Sequence, residues 1–280
     1  MKNYIKIQKK IESFDKSIQV SGDKSISIRC VLMASQAIGR SKIFNLLESE
    51  DVINSLNSIK RLGIKYKKFR NYYEIYGFGI KGFKTKKKVT IDAGNSGTLA
   101  RLMIGLLVDT ENQVKIIGDK SLSKRDFARV TEPIKLFGPN IVSNKNKLPV
   151  KITGSKYLRP IKYSEYLGSA QCKSSVMLAA LKTPGITTIK AKKSRDHTEL
   201  LFKSLNLPIK IKKKINYDYI EIKGEQNFNS FNYNVPGDIS SCSFFLVLTL
   251  LGQKSKLLIK NININNTRTG IIKILNKIKL

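Results

Sequence analysis

Lys24, Ser25 and Arg29 lie close together in the stretch GDKSISIR (22–29), at the head of an apolar run. Residues of these types suit the binding of phosphate or carboxylate. A helix N-terminus leaves backbone N–H groups unpaired and carries partial positive charge, so it is a ready anion site. An ammonium, a guanidinium and a hydroxyl add donors whose hydrogen bonds to an anion are of the strong, charge-assisted kind. Cations are disfavoured by the dipole at a helix N-terminus, so an anionic partner explains Arg29 there better than surface placement does. The arrangement recurs. Small, Ser-rich turns followed by apolar runs begin again at Ser96, Ser169 and Ser240, spaced 71, 73 and 71 residues along from Ser25.

The elements that position these residues follow one pattern. Alternating segments at Tyr4 to Ile7 and Ser17 to Val20 read as strands. A helix over Ile28 to Ala37 stops at Gly39, and a strand over Ser41 to Leu47 follows. Ser49 caps a second helix with Glu50 and Asp51 in its first turn. That helix sets Val52, Leu56, Ile59 and Leu62 at helical spacing and ends at Gly63. Tyr66 to Ile75 reads as a hairpin. The second unit runs from Asp92 through an apolar helix carrying Arg101, a strand at Gln113 to Ile117, the loop GDKSLSKRDF and a helix from Phe127 to Phe137 closed by Gly138. The third and fourth units repeat the order, with strands at Thr187 to Ala191 and Lys256 to Ile262. A repeat this long exceeds a solenoid period and predicts small α/β subdomains packed together.

Composition sets the bounds. A chain of 280 residues suggests about two domains, and 41% hydrophobic residues suffice for a core. Cys30, Cys172 and Cys242 are scattered without metal spacing and read as buried thiols in a reducing compartment. The apolar runs fall short of membrane-spanning length and the N-terminus has no signal-peptide core, so a cytoplasmic location with no membrane partner is expected. The formal charge of +32 raises the question of nucleic acid. Lysine is spread throughout, however, with its densest runs (Lys84 to Lys88 and Lys210 to Lys214) placed between elements, and no nucleic-acid motif accompanies it. Solvated surface charge, drawing in small anions, is the reading. With His197 the sole histidine, a His-based triad or a histidine-rich metal site is excluded.

Eight stretches together resemble the EPSP synthase (3-phosphoshikimate 1-carboxyvinyltransferase) family. They are GDKSISIR (22–29), GNSGTLARL (94–102), GDKSLSKRDFARV (118–130), LPVKITG (148–154), SAQCKSSVMLAAL (169–181), SRDHTE (194–199), VPGDISS (235–241) and NTRTG (266–270). The resemblance spans essentially the whole chain, in order. It implies an α/β fold of six βαβαββ-like units in two domains, an inside-out α/β barrel, of which this sequence holds four. Residues 21–232 would form a complete first domain of three units. Residues 1–20 and 233–280 would form part of the second, with the chain crossing near Val20 and Asn232. The family's KESDR-like and DHR motifs and the acidic residue acting on the attacking hydroxyl do not occur here.

The implied reaction transfers enolpyruvyl from phosphoenolpyruvate to the 5-hydroxyl of shikimate 3-phosphate and releases phosphate, by addition and elimination without metal or cofactor. By resemblance, Lys24, Ser25, Arg29, Ser169, Ala170, Gln171 and Ser194 bind shikimate 3-phosphate. Lys24, Asn95, Gly97, Arg125 and Gln171 bind phosphoenolpyruvate, and Lys24 also serves in proton transfer. Glyphosate occupies the phosphoenolpyruvate site in this family, and Gly97 implies sensitivity to it. Asp126 stands where the family usually has Pro. Ser169 is equally readable as a helix cap, His197 as a residue without chemical role, and Asp238 as the cap of the fourth-unit helix.

Two other functions stand as alternatives. The sister enzyme acting on UDP-N-acetylglucosamine uses a Cys in the loop that here reads GDKSLSKRDF, which has none. A substrate-binding fragment without turnover is the second alternative, and these 280 residues alone are expected to bind substrate and turn over slowly if at all. A monomer is expected for the complete protein.

Overall fold

The structure, a computed structural model, describes residues 12–85 and 88–278. It divides into two compact units, one of residues 24–235 and the other of residues 1–23 with 236–280. The strand expected at Tyr4 to Ile7 lies outside the described residues.

The 24–235 unit contains three four-stranded sheets of one topology. In the first repeat, α1 (Lys24–Ala34) leads to β2 (Ile38–Phe44), α2 (Glu50–Arg61), β3 (Lys65–Lys68) and β4 (Tyr72–Phe78), following β1 (Asp15–Gln19) of the other unit. The second holds β5 (Lys88–Asp92), α3 (Gly97–Leu106), β6 (Gln113–Ile117), α4 (Lys120–Ser123), α5 (Ala128–Lys135), β7 (Asn140–Asn144) and β8 (Lys147–Thr153). The third holds β9 (Lys162–Glu165), α6 (Ala170–Lys182), β10 (Ile186–Lys192), α7 (His197–Ser204), β11 (Ile209–Lys213) and β12 (Tyr217–Lys223). The second and third sheets run β5-β6-β8-β7 and β9-β10-β12-β11, each with one parallel pair followed by two antiparallel pairs. Among the described residues, the first repeat has no leading strand of its own. That place is taken by β13 (Asn232–Asn234), which pairs parallel with β2 and so returns the end of the unit to its beginning.

Helices α1, α3 and α6 are buried nearly all round, α6 burying eleven of its thirteen residues. The strands outside them alternate buried and exposed, the mark of sheets with one solvated face. The close approach of α3 to α6 requires Gly105, where a Cβ would come within 2.1 Å of the Ser175 carbonyl oxygen. Val52, Leu56, Ile59 and Leu62 are fully buried, as their spacing predicts. All three cysteines are buried free thiols, and burial pushes that of Cys172 up.

Several boundaries differ from expectation. Helix α1 starts at Lys24 and ends at Ala34, and Gly39 lies inside β2 with φ of 102° rather than stopping the helix. The Ser49 hydroxyl makes no capping bond, and the acidic first turn of α2 stands in for it. Lys210 to Lys213 lie on β11 rather than between elements, where alternation turns part of the lysine run to solvent.

In the other unit β1 pairs parallel with β14 (Lys256–Lys260), joined by α8 (Ile239–Leu251) and followed by α9 (Gly270–Ile278). Asp238 caps α8 by accepting from the Ser240 N–H at 2.8 Å, and its Oδ1 lies 3.2 Å from Arg268. Only Ile239 and Cys242 of α8 are buried, although this helix is as long as α6 and more apolar. Among the described residues, no helix is long and apolar enough to cross a membrane.

Candidate anion site at the helix N-termini

Two networks converge on the N-terminal ends of α1, α3 and α6 within the 24–235 unit. The first centres on Arg29, which is 5% exposed. Its Nε donates to Thr198 Oγ1 at 2.8 Å, Nη1 to the Ser25 carbonyl at 2.9 Å and Nη2 to Ser174 Oγ at 3.1 Å. Ser174 and Thr198 share a further hydrogen bond of 2.7 Å. A planar guanidinium with donors in a fixed fork is thereby set in one orientation.

The second network surrounds Gly97. Arg101 Nη1 donates to Gln171 Oε1 at 2.7 Å, and Gln171 Nε2 donates to Thr98 Oγ1 at 2.9 Å. The Arg101 guanidinium stacks over Phe127 at 5.1 Å. Burial, with the charges of Arg129 and Arg125 adding to it, holds the Arg101 pKa below the usual arginine range. Arg125 Nη2 donates to Asn95 Oδ1 at 3.1 Å, and Asn95 Nδ2 donates to Asp119 Oδ2 at 2.6 Å. Asp119 also caps α4 through the Leu122 N–H, and that bond with the Asn95 amide keeps its carboxyl below the usual range. A Cβ on Gly97 would stand 2.9 Å from Arg101 Nη1 and 3.0 Å from Arg125 Nη1. The missing side chain therefore leaves room where two guanidinium groups meet a helix N-terminus. Such a place favours a phosphate or carboxylate.

Helix α6 serves both networks. Gln171 and Ser174, three residues apart, are neighbours on its surface, one reaching Arg101 and the other Arg29. Ser175 Oγ, donating to the Arg101 carbonyl at 2.8 Å, ties α6 to α3.

The remaining predicted residues are placed less centrally. Lys24 Nζ lies 3.1 Å from Asp51 Oδ2 of α2, with its side chain half exposed. The Ser169 hydroxyl accepts from the Cys172 N–H and so does serve as a helix cap, and Ala170 is the first residue of α6. Ser194 Oγ is buried and has no hydrogen-bond partner. Asp126 Oδ1 accepts from the Ala128 N–H at 2.6 Å, bracing the turn into α5 where the family usually has Pro. His197 is buried in the first turn of α7. Sequence reasoning missed Thr98, Ser174 and Thr198 as site residues and gave Arg101 a position but no role. Arg101 had a legible signal, a cation one turn into an apolar helix; the hydroxyls had none.

Comparison with known proteins bears on this geometry. The sequence model of EPSP synthase (3-phosphoshikimate 1-carboxyvinyltransferase) matches residues 8–280. A 3-phosphoshikimate 1-carboxyvinyltransferase of Streptococcus mutans is 39% identical over 274 residues, which are 97% of this chain and 63% of that protein. One from Bacillus cytotoxicus is 38% identical over 264 residues, 93% of this chain and 61% of that protein. A solved EPSP synthase from Acinetobacter baumannii superposes with a TM-score of 0.87 at 33% identity, covering 96% of this chain and 60% of that one. The chain thus spans about three fifths of the length of the relatives it matches. By sequence, by fold and across nearly its whole length, this chain belongs to the EPSP synthase (3-phosphoshikimate 1-carboxyvinyltransferase) family.

Proposed function

We propose that the protein acts as a 3-phosphoshikimate 1-carboxyvinyltransferase, and that the 24–235 unit is the complete first domain, supplying the shikimate 3-phosphate site. Residues 1–23 with 236–280 belong to the second domain. The 5-hydroxyl oxygen of shikimate 3-phosphate bonds to C2 of phosphoenolpyruvate while C3 gains a proton, giving a tetrahedral adduct. Loss of a C3 proton and of phosphate from C2 then yields the enolpyruvyl ether. Neither half needs a metal or an oxidant.

The observation that carries this reading is Gln171, held between Arg101 and Thr98, with the Arg101 and Arg125 guanidinium groups both close to Gly97. It fixes an amide where the two anionic substrates would meet. Ser25, Arg29, Ser169, Ala170 and Ser194 bind shikimate 3-phosphate with Lys24 and Gln171. The buried, unpaired Ser194 hydroxyl supports that role, since such a group is costly unless a ligand oxygen meets it. Asn95, Gly97 and Arg125 hold phosphoenolpyruvate with Lys24 and Gln171, and Lys24 moves the proton at C3. The location is cytoplasmic and the whole protein monomeric.

Because the chain spans about three fifths of its relatives' length, a second reading is binding of shikimate 3-phosphate without turnover. Phosphate release from the two substrates tests both. It is measured with the purified chain alone and with a polypeptide supplying the remainder of a relative's length. Phosphate release in either mixture supports the transferase, while saturable binding with no release in both supports the second reading. No binding at all refutes both.

A further inference from the structure

Beneath the Arg29 network lies an ion pair that neither network uses directly. Lys173 of α6 and Glu199 of α7 meet with Nζ and Oε1 2.5 Å apart, and their side chains are 0% and 4% exposed. Burying two charges is expensive, and a buried ion pair is seldom more stabilising than apolar residues of the same volume. It holds one atom of α6 against one atom of α7, however, and a Leu–Met contact can slide. Its place in the sequence gives that direction a use. Lys173 precedes Ser174, and Glu199 follows Thr198. Two adjacent residues on α6 therefore meet two adjacent residues on α7, one link charged and the other the Ser174–Thr198 hydrogen bond. Helix α7 is eight residues long, and the Asp196 side chain makes no capping bond at its start.

We propose that the Lys173–Glu199 pair is a positioning device for the anion site. It locks the first turn of α7 against α6, so that Thr198 Oγ1 and Ser174 Oγ hold the Arg29 guanidinium in its binding orientation. As a positioning role for shikimate 3-phosphate, it rests on the function proposed above.

The test removes both charges with apolar side chains of similar length, in Lys173→Met/Glu199→Met, so that neither a lone charge nor an unpaired polar group is left in the core. The double variant should keep its far-ultraviolet circular dichroism and bind shikimate 3-phosphate about tenfold or more weakly by calorimetry. The Arg29 Nε–H resonance should lose its protection from solvent exchange. Thr198→Val, with the pair intact, should weaken binding similarly and add little when combined with the double variant, since the pair acts through Thr198. A folded double variant with unchanged affinity and a protected Nε–H overturns the proposal, as does full additivity with Thr198→Val. If the double variant does not fold, folded Thr198→Val decides, and unchanged affinity there overturns the proposal. If the unsubstituted chain binds no shikimate 3-phosphate, the proposed function fails. The Arg29 Nε–H exchange needs no ligand and still decides the positioning claim.

Discussion

Gly97→Ala is the sharpest probe of the two-guanidinium site, because the structure separates its effects on folding and on binding. The added Cβ would stand 2.9 Å from Arg101 Nη1 and 3.0 Å from Arg125 Nη1, with Leu122 Cδ1 at an ordinary 3.5 Å. Both close neighbours are tips of long side chains, so the helix need not move. To reach the 3.4 Å of ordinary contact, Arg101 must retreat by about 0.5 Å and Arg125 by about 0.4 Å. Arg101 is already bonded to Gln171 at 2.7 Å, and Arg125 to Asn95. The retreat therefore spoils the geometry presented to an anion rather than the core. Gly97 is the first residue of α3, where alanine is at least as compatible with the helix as glycine. The thermal midpoint should hold or rise slightly. Losing one charge-assisted hydrogen bond, worth about 1.5–3 kcal/mol, should weaken phosphoenolpyruvate binding by about 10- to 150-fold. Glyphosate should be weakened at least as much, having to share the narrowed space. Calorimetry reads glyphosate with shikimate 3-phosphate already saturating, and phosphoenolpyruvate without it, where no turnover can occur. Unchanged affinity for both, in a variant of unchanged midpoint, would refute the assignment of this place to phosphoenolpyruvate.

Three other outcomes are expected. The carboxyl of Asp119, held low by the Leu122 N–H and the Asn95 amide, contributes stability that is present above the ordinary aspartate range and is lost as pH falls through its lowered value. Thermal midpoints of wild type and Asp119→Asn should therefore differ at neutral pH and converge as pH falls below the ordinary aspartate range; a gap constant with pH would count against the link. Asp109→Ala strands the fully buried Lys182 ammonium, now 2.8 Å from Asp109 Oδ1, and should cost about 3–5 kcal/mol in urea unfolding. Lys182→Met added to it should recover much of that loss, and no recovery would show that the pair's charge is not the cause. Finally, α8 exposes Phe244 at 78% and Leu251 at 79%, so the 280-residue polypeptide should self-associate as its concentration rises. Phe244→Ser/Leu251→Ser should suppress this in sedimentation, and a concentration-independent monomer of the unsubstituted chain would contradict the expectation.

What could be read from the sequence was mostly local. A polar turn feeding an apolar run marks α3, α6 and α8 because the cap and the first buried turn are neighbours in sequence. The strand expected at Gln113 to Ile117 is β6 without change, bounded as it is by polar residues. Helix α4 went unseen because its four residues are too few to show a period. Strand β13 closes the first sheet from nearly two hundred residues away, and no local pattern announces such a pairing. At the site, Lys24, Arg29, Asn95, Gly97, Arg125 and Gln171 stood out through charge or family likeness. What they are bonded to did not. Thr98, Ser174 and Thr198 are neutral hydroxyls of a kind found throughout the chain, and only the packing of α6 against α3 and α7 singles them out. Arg29 shows the limit most clearly. Its place near a helix N-terminus pointed to an anion, yet in the structure two hydroxyls and a carbonyl oxygen take its donors.

The central claim, that the 24–235 unit builds a shikimate 3-phosphate site around Gln171, is met most directly by titrating that ligand into the chain and into Gln171→Leu. The account predicts saturable binding of one molecule per chain, weakened about tenfold or more in the variant, with unchanged circular dichroism. Absence of saturable heat from the unsubstituted chain, or equal affinity in a folded Gln171→Leu, would contradict it.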